Sequence, residues 1–218
     1  VYTVFLEDGR RVEASIRGRL KREQRTGNRV VIGDEVEVHM DGEVATIESV
    51  LERRTELVRR GRGRAAKILA ANLDRVYVVI ALREPRGSTQ IIDRMLVLVE
   101  SSGMHPVLVL NKIDLDETED AAEAWSDLYR SVGYRVLLTS AESGRGIPEL
   151  HAEMCTGISA LIGPSGVGKS TLLNAVDPGL EIGVDPLARL LEHLLPRVTG
   201  APRRPHARAL IADPRHGR

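Results

Sequence analysis

Cysteine is almost missing from this 218-residue chain, in which Cys155 stands alone. That excludes an internal disulfide framework, leaves too few thiols for a cysteine-rich zinc site, and fits a reducing compartment. Aromatic residues make up only 3% of the chain, so base stacking is excluded as the main mode of nucleic-acid recognition. Net charge is also missing: 31 basic side chains balance 31 acidic ones. No global field draws the protein toward polyanions or membranes, and any such attraction must come from local clusters. The longest apolar run, "VYVVIAL" at 76–82, falls far short of the roughly 20 residues needed to cross a bilayer. The opening "VYTVFLEDGRR" lacks the order of basic, apolar and small residues that marks a secretion signal. The first residue is Val1 rather than Met, and some N-terminal residues are expected to precede it. Together these absences predict a soluble, cytoplasmic protein without membrane partners.

What is present is ordinary for a globular protein, with 42% apolar and 28% charged residues. The length suits two modest domains. Over residues 1–52, short segments of period-two polarity ("YTVFL", "RVEASIRG", "RVVIGDEVEVHM", "EVATIESVL") flank Asp8-Gly9 and Asp41-Gly42, dipeptides suited to hairpin turns. Several short strands in so small a space predict a small all-β barrel of the OB-fold kind, a frequent RNA-binding form. Residues 53–72 read as a basic linker. Arg53, Arg54, Arg59, Arg60, Arg62, Arg64 and Lys67 outnumber the acids nearby and are candidates for contacts with RNA phosphates; a solvated connection is the plainer alternative.

From residue 73 to 180 the pattern changes to α/β. The apolar strands "RVYVVIAL", "HPVLVLN", "RVLLTS" and "ISALIG" alternate with helical stretches, which predicts a parallel sheet covered on both faces. Ligands of such sheets gather beyond the carboxyl ends of the strands, and three motifs fall there. "GPSGVGKST" follows a strand and opens a helix, the context a phosphate-binding loop requires. In it Gly163, Gly166 and Gly168 would let backbone N–H groups converge on phosphate oxygens, with Pro164, Ser165 and Val167 as the other nucleotide-binding candidates of the loop. Lys169 would reach the terminal phosphates as the phosphate-stabilising candidate, Ser170 would ligate Mg²⁺, and Thr171 is a further nucleotide-binding candidate. "NKID" brings Asn111, Lys112, Ile113 and Asp114 after another strand. The Asp114 carboxylate can accept two hydrogen bonds from guanine, whereas adenine would leave it unpaired, a discrimination on the order of 2–4 kcal/mol. Ser140, Ala141 and Glu142 end a third strand, where a small residue lets a backbone N–H approach the guanine carbonyl.

These elements occur in the order base-reader, base-brace, phosphate loop, and the barrel with "AANLDRVYVV", "IIDRMLVLVE", "NKIDL", "TSAESGRG" and "GPSGVGKSTLLNAV" resembles the RsgA family of circularly permuted, small-ribosomal-subunit-dependent GTPases. The resemblance covers roughly residues 1–180. It implies a permuted P-loop GTPase domain behind an OB-fold barrel. It also implies GTP and GDP as substrate and product with Mg²⁺, and action with the small ribosomal subunit and its rRNA late in assembly, with hydrolysis stimulated by that subunit. A monomer is expected. Two alternatives stay open: a hydrolysis-deficient rRNA-binding remnant, and a guanylate-kinase-like enzyme, since "GPSGVGKST" also suits that family.

Beyond Leu180 the resemblance stops. No Asp-x-x-Gly occurs in the chain, so the family's γ-phosphate sensor is missing and no water-positioning residue is named. The family's Cys/His zinc site is absent as well. Residues 181–218, ending "GAPRRPHARALIADPRHGR", are expected to be a divergent, disordered basic tail, reflecting truncation or a shifted reading frame. The α/β sheet is expected to be incomplete. His151 and His193 are read as helix-surface residues, His206 and His216 as tail residues without metal spacing, and Trp125 as a packing anchor.

Overall fold

A computed structural model of the chain describes residues 1–18, 20, 30–61, 64–116, 120–178 and 206–214. The chain divides into two units, one containing Val1–Leu73 with the 206–214 segment, the other beginning at Asp74.

In the first unit, β1 (Tyr2–Leu6), β2 (Arg11–Ile16), β3 (Glu35–Asp41) and β4 (Val44–Val50) are the strands the alternating pattern predicts. They join a fifth, His206–Pro214, in a closed barrel. Their inward positions, among them Val4, Leu6, Ala14, Val36, Val38, Ala45 and Ile47, form one buried cluster. Each fully buried Val, Leu or Ile contributes roughly 1.5–3 kcal/mol, so period-two patterning alone accounts for much of this core. The stretch "RVVIGD" is not all strand: at its end the Asp34 carboxylate accepts the Val31 amide at 2.8 Å while the Asp34 amide donates back to the Val31 carbonyl.

Two sequence expectations are corrected here. Residues 53–72, expected to be a basic linker, instead contain β5 (Glu56–Gly61) and β6 (Arg64–Ala71), which pair as an antiparallel hairpin. The charges on its face hid the strand pattern. Residues 181–218 are not wholly a tail outside the barrel, since 206–214 form a strand flanked by β1 and β3. "HARALIADP" satisfies strand edges that residues 1–52 leave unpaired, and that pairing outweighs the Pro and Arg content read as disorder. The remainder of 179–218, including His193 and His216, lies outside the described residues, as does Arg62. Ala209 pairs with both Leu6 and Val36. An Ala209→Pro substitution would remove an amide from a strand bonded on both sides, at a cost of about 3 kcal/mol. Faster amide exchange in β1 and β3, measured peptide by peptide, is the expected result; unchanged exchange would place this strand elsewhere.

The second unit alternates β7 (Arg75–Ala81), α1 (Thr89–Glu100), β8 (Pro106–Asn111), α2 (Asp120–Ser131), β9 (Arg135–Thr139), α3 (Ile147–Met154), β10 (Ser159–Ile162) and α4 (Lys169–Val176). With 206–214 labelled β11, the described strands number in chain order throughout. The sheet is parallel with order β10-β7-β8-β9. β8 is buried at every position and β7 at all but its first, which explains why these strands read as continuous apolar runs. Helix α1 packs Ile92, Leu96 and Val99 inward. Trp125 is a half-buried anchor against Leu82, Ile113 and Ala122. Successive strands run β7, β8, β9 in one direction, and then β10 returns to the far side of β7. That reversal opens the crevice in which ligands of doubly wound sheets bind, at the carboxyl ends of β7 and β10.

Candidate functional site

The three motifs meet at this end of the sheet. Asn111 is the last residue of β8, in register with Ala81 on β7 and Thr139 on β9. Its side chain, 1% exposed, donates from Nδ2 to the Val167 carbonyl at 2.8 Å and accepts from Thr139 Oγ1 at 3.1 Å. A single amide thus joins the phosphate loop to two strand ends. Gly168 is the contact point. Its φ is +91°, and a Cβ there would lie 2.5 Å from Asn111 Nδ2, so both conformation and space demand glycine.

After Asn111 the chain turns through Lys112, which is left-handed with φ 61° and ψ 39°, into a 3-10 turn at Ile113–Leu115. Ile113 is buried and Asp114 exposed, so the turn points the carboxylate outward while its apolar neighbour fixes the backbone. After β9, Ser140 is fully buried. Its amide donates to the Arg145 carbonyl, its carbonyl accepts the Gly144 amide, and its Oγ accepts the Ser143 amide. These bonds fold the loop back and leave Ala141 half-buried and Glu142 exposed at its tip.

The phosphate loop leaves β10 at Gly163, where a Cβ would lie 2.1 Å from the Val79 carbonyl; the loop can start this close to β7 only because that residue is glycine. Pro164 is half-buried, Ser165 and Gly166 are exposed, and Val167 packs into the core beneath them. Helix α4 starts at Lys169 with Ser170 half-buried and Thr171 exposed in its first turn. The Lys169 ammonium donates to the carbonyls of Gly163 and Pro164 at 3.0 and 2.8 Å, and burial lowers its pKa from the ordinary lysine value. Phosphate oxygens over the loop would oppose that shift by favouring the charged form.

Among the described residues no group of three or more His, Cys, Asp or Glu side chains could hold a metal ion. Ser170, in the first turn of α4, is the residue that could ligate magnesium, an ion that takes one or two protein ligands and completes its shell with phosphate oxygens and water. A cavity of about 730 Å³ lies at the opposite, amino end of the sheet, lined by Arg75, His105, Tyr134 and Arg135 among others. It is remote from all three motifs.

The basic candidates of the first unit divide. Arg53 is corrected out of the RNA-binding set: its guanidinium donates to both Asp34 carboxylate oxygens at 2.6 and 2.9 Å and to Glu56 at 3.0 Å, with 12% of its side chain exposed. Arg54 is exposed, with one guanidinium nitrogen on the Asn72 carbonyl. Arg59 and Lys67 are exposed and directly opposite each other on β5 and β6. Arg60 and Arg64 lie in the same hairpin. The motifs do not reveal the fourth strand-end loop, residues 82–88 after β7. Its signal is the Pro and Gly of "REPRGS" at a strand's carboxyl end.

A family model described as RsgA GTPase matches residues 50–192. Among curated proteins, a small ribosomal subunit biogenesis GTPase RsgA from Gemmatimonas aurantiaca is 40% identical over 187 residues, covering 84% of this chain and 61% of the relative. One from Christiangramia forsetii is 34% identical over 197 residues, covering 86% and 62%. The chain therefore spans about three fifths of these relatives' length. Among solved structures, YjeQ from Thermotoga maritima superposes with a TM-score of 0.65 at 33% identity, over 84% of this chain and 67% of that one. YloQ, a circularly permuted GTPase, gives 0.57 at 29%, over 79% and 58%. The motif order along this chain is the permuted one, the family match spans more than half of it, and its fold follows both solved structures: the chain belongs to the RsgA GTPase family.

Proposed function

We propose that this chain binds GTP and GDP between the Asn111–Asp114 turn and the Gly163–Thr171 loop, and that it serves GTP hydrolysis in late maturation of the small ribosomal subunit. The observation that carries this reading is the Asn111 side chain, which bonds to the phosphate loop from the turn that bears Asp114. One molecule with a base at one end and phosphates at the other fits that juxtaposition. Asp114 pairs with the two guanine donors, Lys112 lays its stem along the base, and the Ser140–Glu142 loop meets the guanine carbonyl. Backbone N–H groups of Ser165 to Gly168, the amino end of α4 and Lys169 hold the phosphates and stabilise charge as the γ-phosphoryl group leaves. Ser170 would hold a magnesium ion, which would supply neutralising charge to the phosphates.

The barrel supports an OB-fold reading: its five strands are antiparallel except for the parallel β2–β4 pair that helps close it. The hairpin beside it supports contact with rRNA. Arg59 opposite Lys67 is a like-charge cross-strand pair, which is unfavourable alone and relieved by a phosphate backbone. The relatives' names supply the small ribosomal subunit as the partner. We read the protein as a cytoplasmic monomer whose turnover rises when that subunit is added.

Titration with fluorescent GDP and ADP tests the site. A preference for GDP of roughly 30-fold or more is expected, and Asp114→Asn should remove most of it. Equal affinity of the wild-type chain for the two nucleotides would overturn the assignment. GTP turnover measured with and without small subunits tests the role in maturation.

A further inference from the structure

Among the described residues, four loops leave the carboxyl end of the parallel sheet, and three of them carry a motif read as nucleotide-binding. The fourth, residues 82–88, sits at the reversal of strand order and touches both of the principal motifs. The Lys112 ammonium donates to the Glu84 carbonyl. A Cβ at Gly166 would lie 3.3 Å from Pro85 Cδ, so the proline ring rests against the exposed glycine of the phosphate loop. The loop's other end is pinned to the sheet: the Gly87 amide donates to the Ala81 carbonyl at 3.0 Å, and a Cβ at Gly87 would lie 2.5 Å from Ile80 Cγ2. Between these anchors Glu84 takes φ +52°, a left-handed conformation uncommon for a residue with a Cβ, and its carbonyl meets Lys112.

A lysine stem is among the most mobile of side chains, and ordering it only when ligand arrives costs affinity. Here its end is already fastened. The stem passes Gly168, with Lys112 Cε 3.9 Å from where a Cβ of that glycine would stand. We propose that the β7–α1 loop is a positioning element of the nucleotide site. Pro85, wedged on Gly166, and Gly87, fixed to the sheet, present the Glu84 carbonyl, which holds Lys112 ready along the guanine base. This inference rests on the guanine-nucleotide reading above and extends it to residues outside the three motifs. Arg83 and Arg86, on the same loop, are exposed and take no part in these contacts.

The test is a double-mutant cycle on the full chain, read as GDP affinity by fluorescence and as melting temperature without nucleotide. Pro85→Gly should weaken GDP binding about tenfold in the wild-type background but by less than about twofold in a Lys112→Met background, because the loop acts through that lysine. The melting temperature should not move, and the preference for GDP over ADP should persist because Asp114 is untouched. Arg86→Ala, on the same loop, should bind within about twofold of wild type. Undiminished GDP affinity in Pro85→Gly, or an equal loss in both backgrounds, would overturn the positioning role. A wild-type chain without GDP preference would instead remove the guanine-nucleotide reading, and this inference with it.

Discussion

Replacing Asp34 with alanine is expected to destabilise the barrel unit by about 3–5 kcal/mol, among the largest effects of any single substitution in this chain. The Asp34 side chain is fully buried and accepts both guanidinium bonds from Arg53 while capping the Val31 amide. Removing it takes two charge-assisted bonds from a mostly buried guanidinium, whose bond to Glu56 goes to a side chain 41% exposed, and strands the Val31 amide. A bidentate pair of this kind adds little when intact, because desolvation offsets its attraction, and costs heavily when halved. Two comparisons follow. Arg53→Met should cost less than Asp34→Ala only if the amide cap matters. Asp34→Asn should fall between wild type and alanine, since it keeps an acceptor for Val31 and loses the charge. Urea unfolding followed by amide exchange in the barrel strands reads the unit by itself; a loss below about 1 kcal/mol for Asp34→Ala would mean that the pair is solvated and adds no more than a surface ion pair.

Arg53 also shows where sequence reading stopped. In "LERRTELVRRGRGRAAK" its charge is one of seven, and nothing local separates the arginine that enters a buried pair from those that face solvent. Its partner lies 19 residues earlier, a spacing set by tertiary folding rather than by any strand or helix period. The same limit applies to β11. A strand is specified by the edge it completes as much as by its own residues, and the vacancy between β1 and β3 cannot be seen from "HARALIADP" alone. The four described strands of the parallel sheet were legible because they are largely buried on both faces and so mostly apolar. The motifs were legible because glycine, lysine and carboxylate at fixed spacing are what a phosphate and a guanine base would demand. Glu84 was not, because it acts through a carbonyl that every residue possesses; only the left-handed turn that aims it is particular to this place.

The tie between base and phosphate sites gives the second large effect. Asn111→Ala is expected to lower GDP affinity by at least about tenfold and to destabilise the α/β unit by roughly 2–4 kcal/mol. Both numbers come from one geometry. The amide fills a buried junction, donating to Val167 and accepting from Thr139; truncation leaves a carbonyl and a hydroxyl without partners where water has little access. It also frees Gly168, which now stands against Asn111 Nδ2, so the phosphate loop must be ordered by the ligand instead of arriving ordered. Thr139→Val separates the two consequences. It removes only the rear bond, and should cost about 1 kcal/mol of stability with little change in affinity, because the front bond to the loop survives. Asn111→Asp offers no rescue: a carboxylate can still accept from Thr139 but faces the Val167 carbonyl acceptor to acceptor. If Asn111→Ala instead binds GDP within about twofold of wild type, the phosphate loop holds its shape unaided. The turn bearing Asp114 would then have no structural claim on the ligand of that loop, and the two motifs would have to be treated as separate sites.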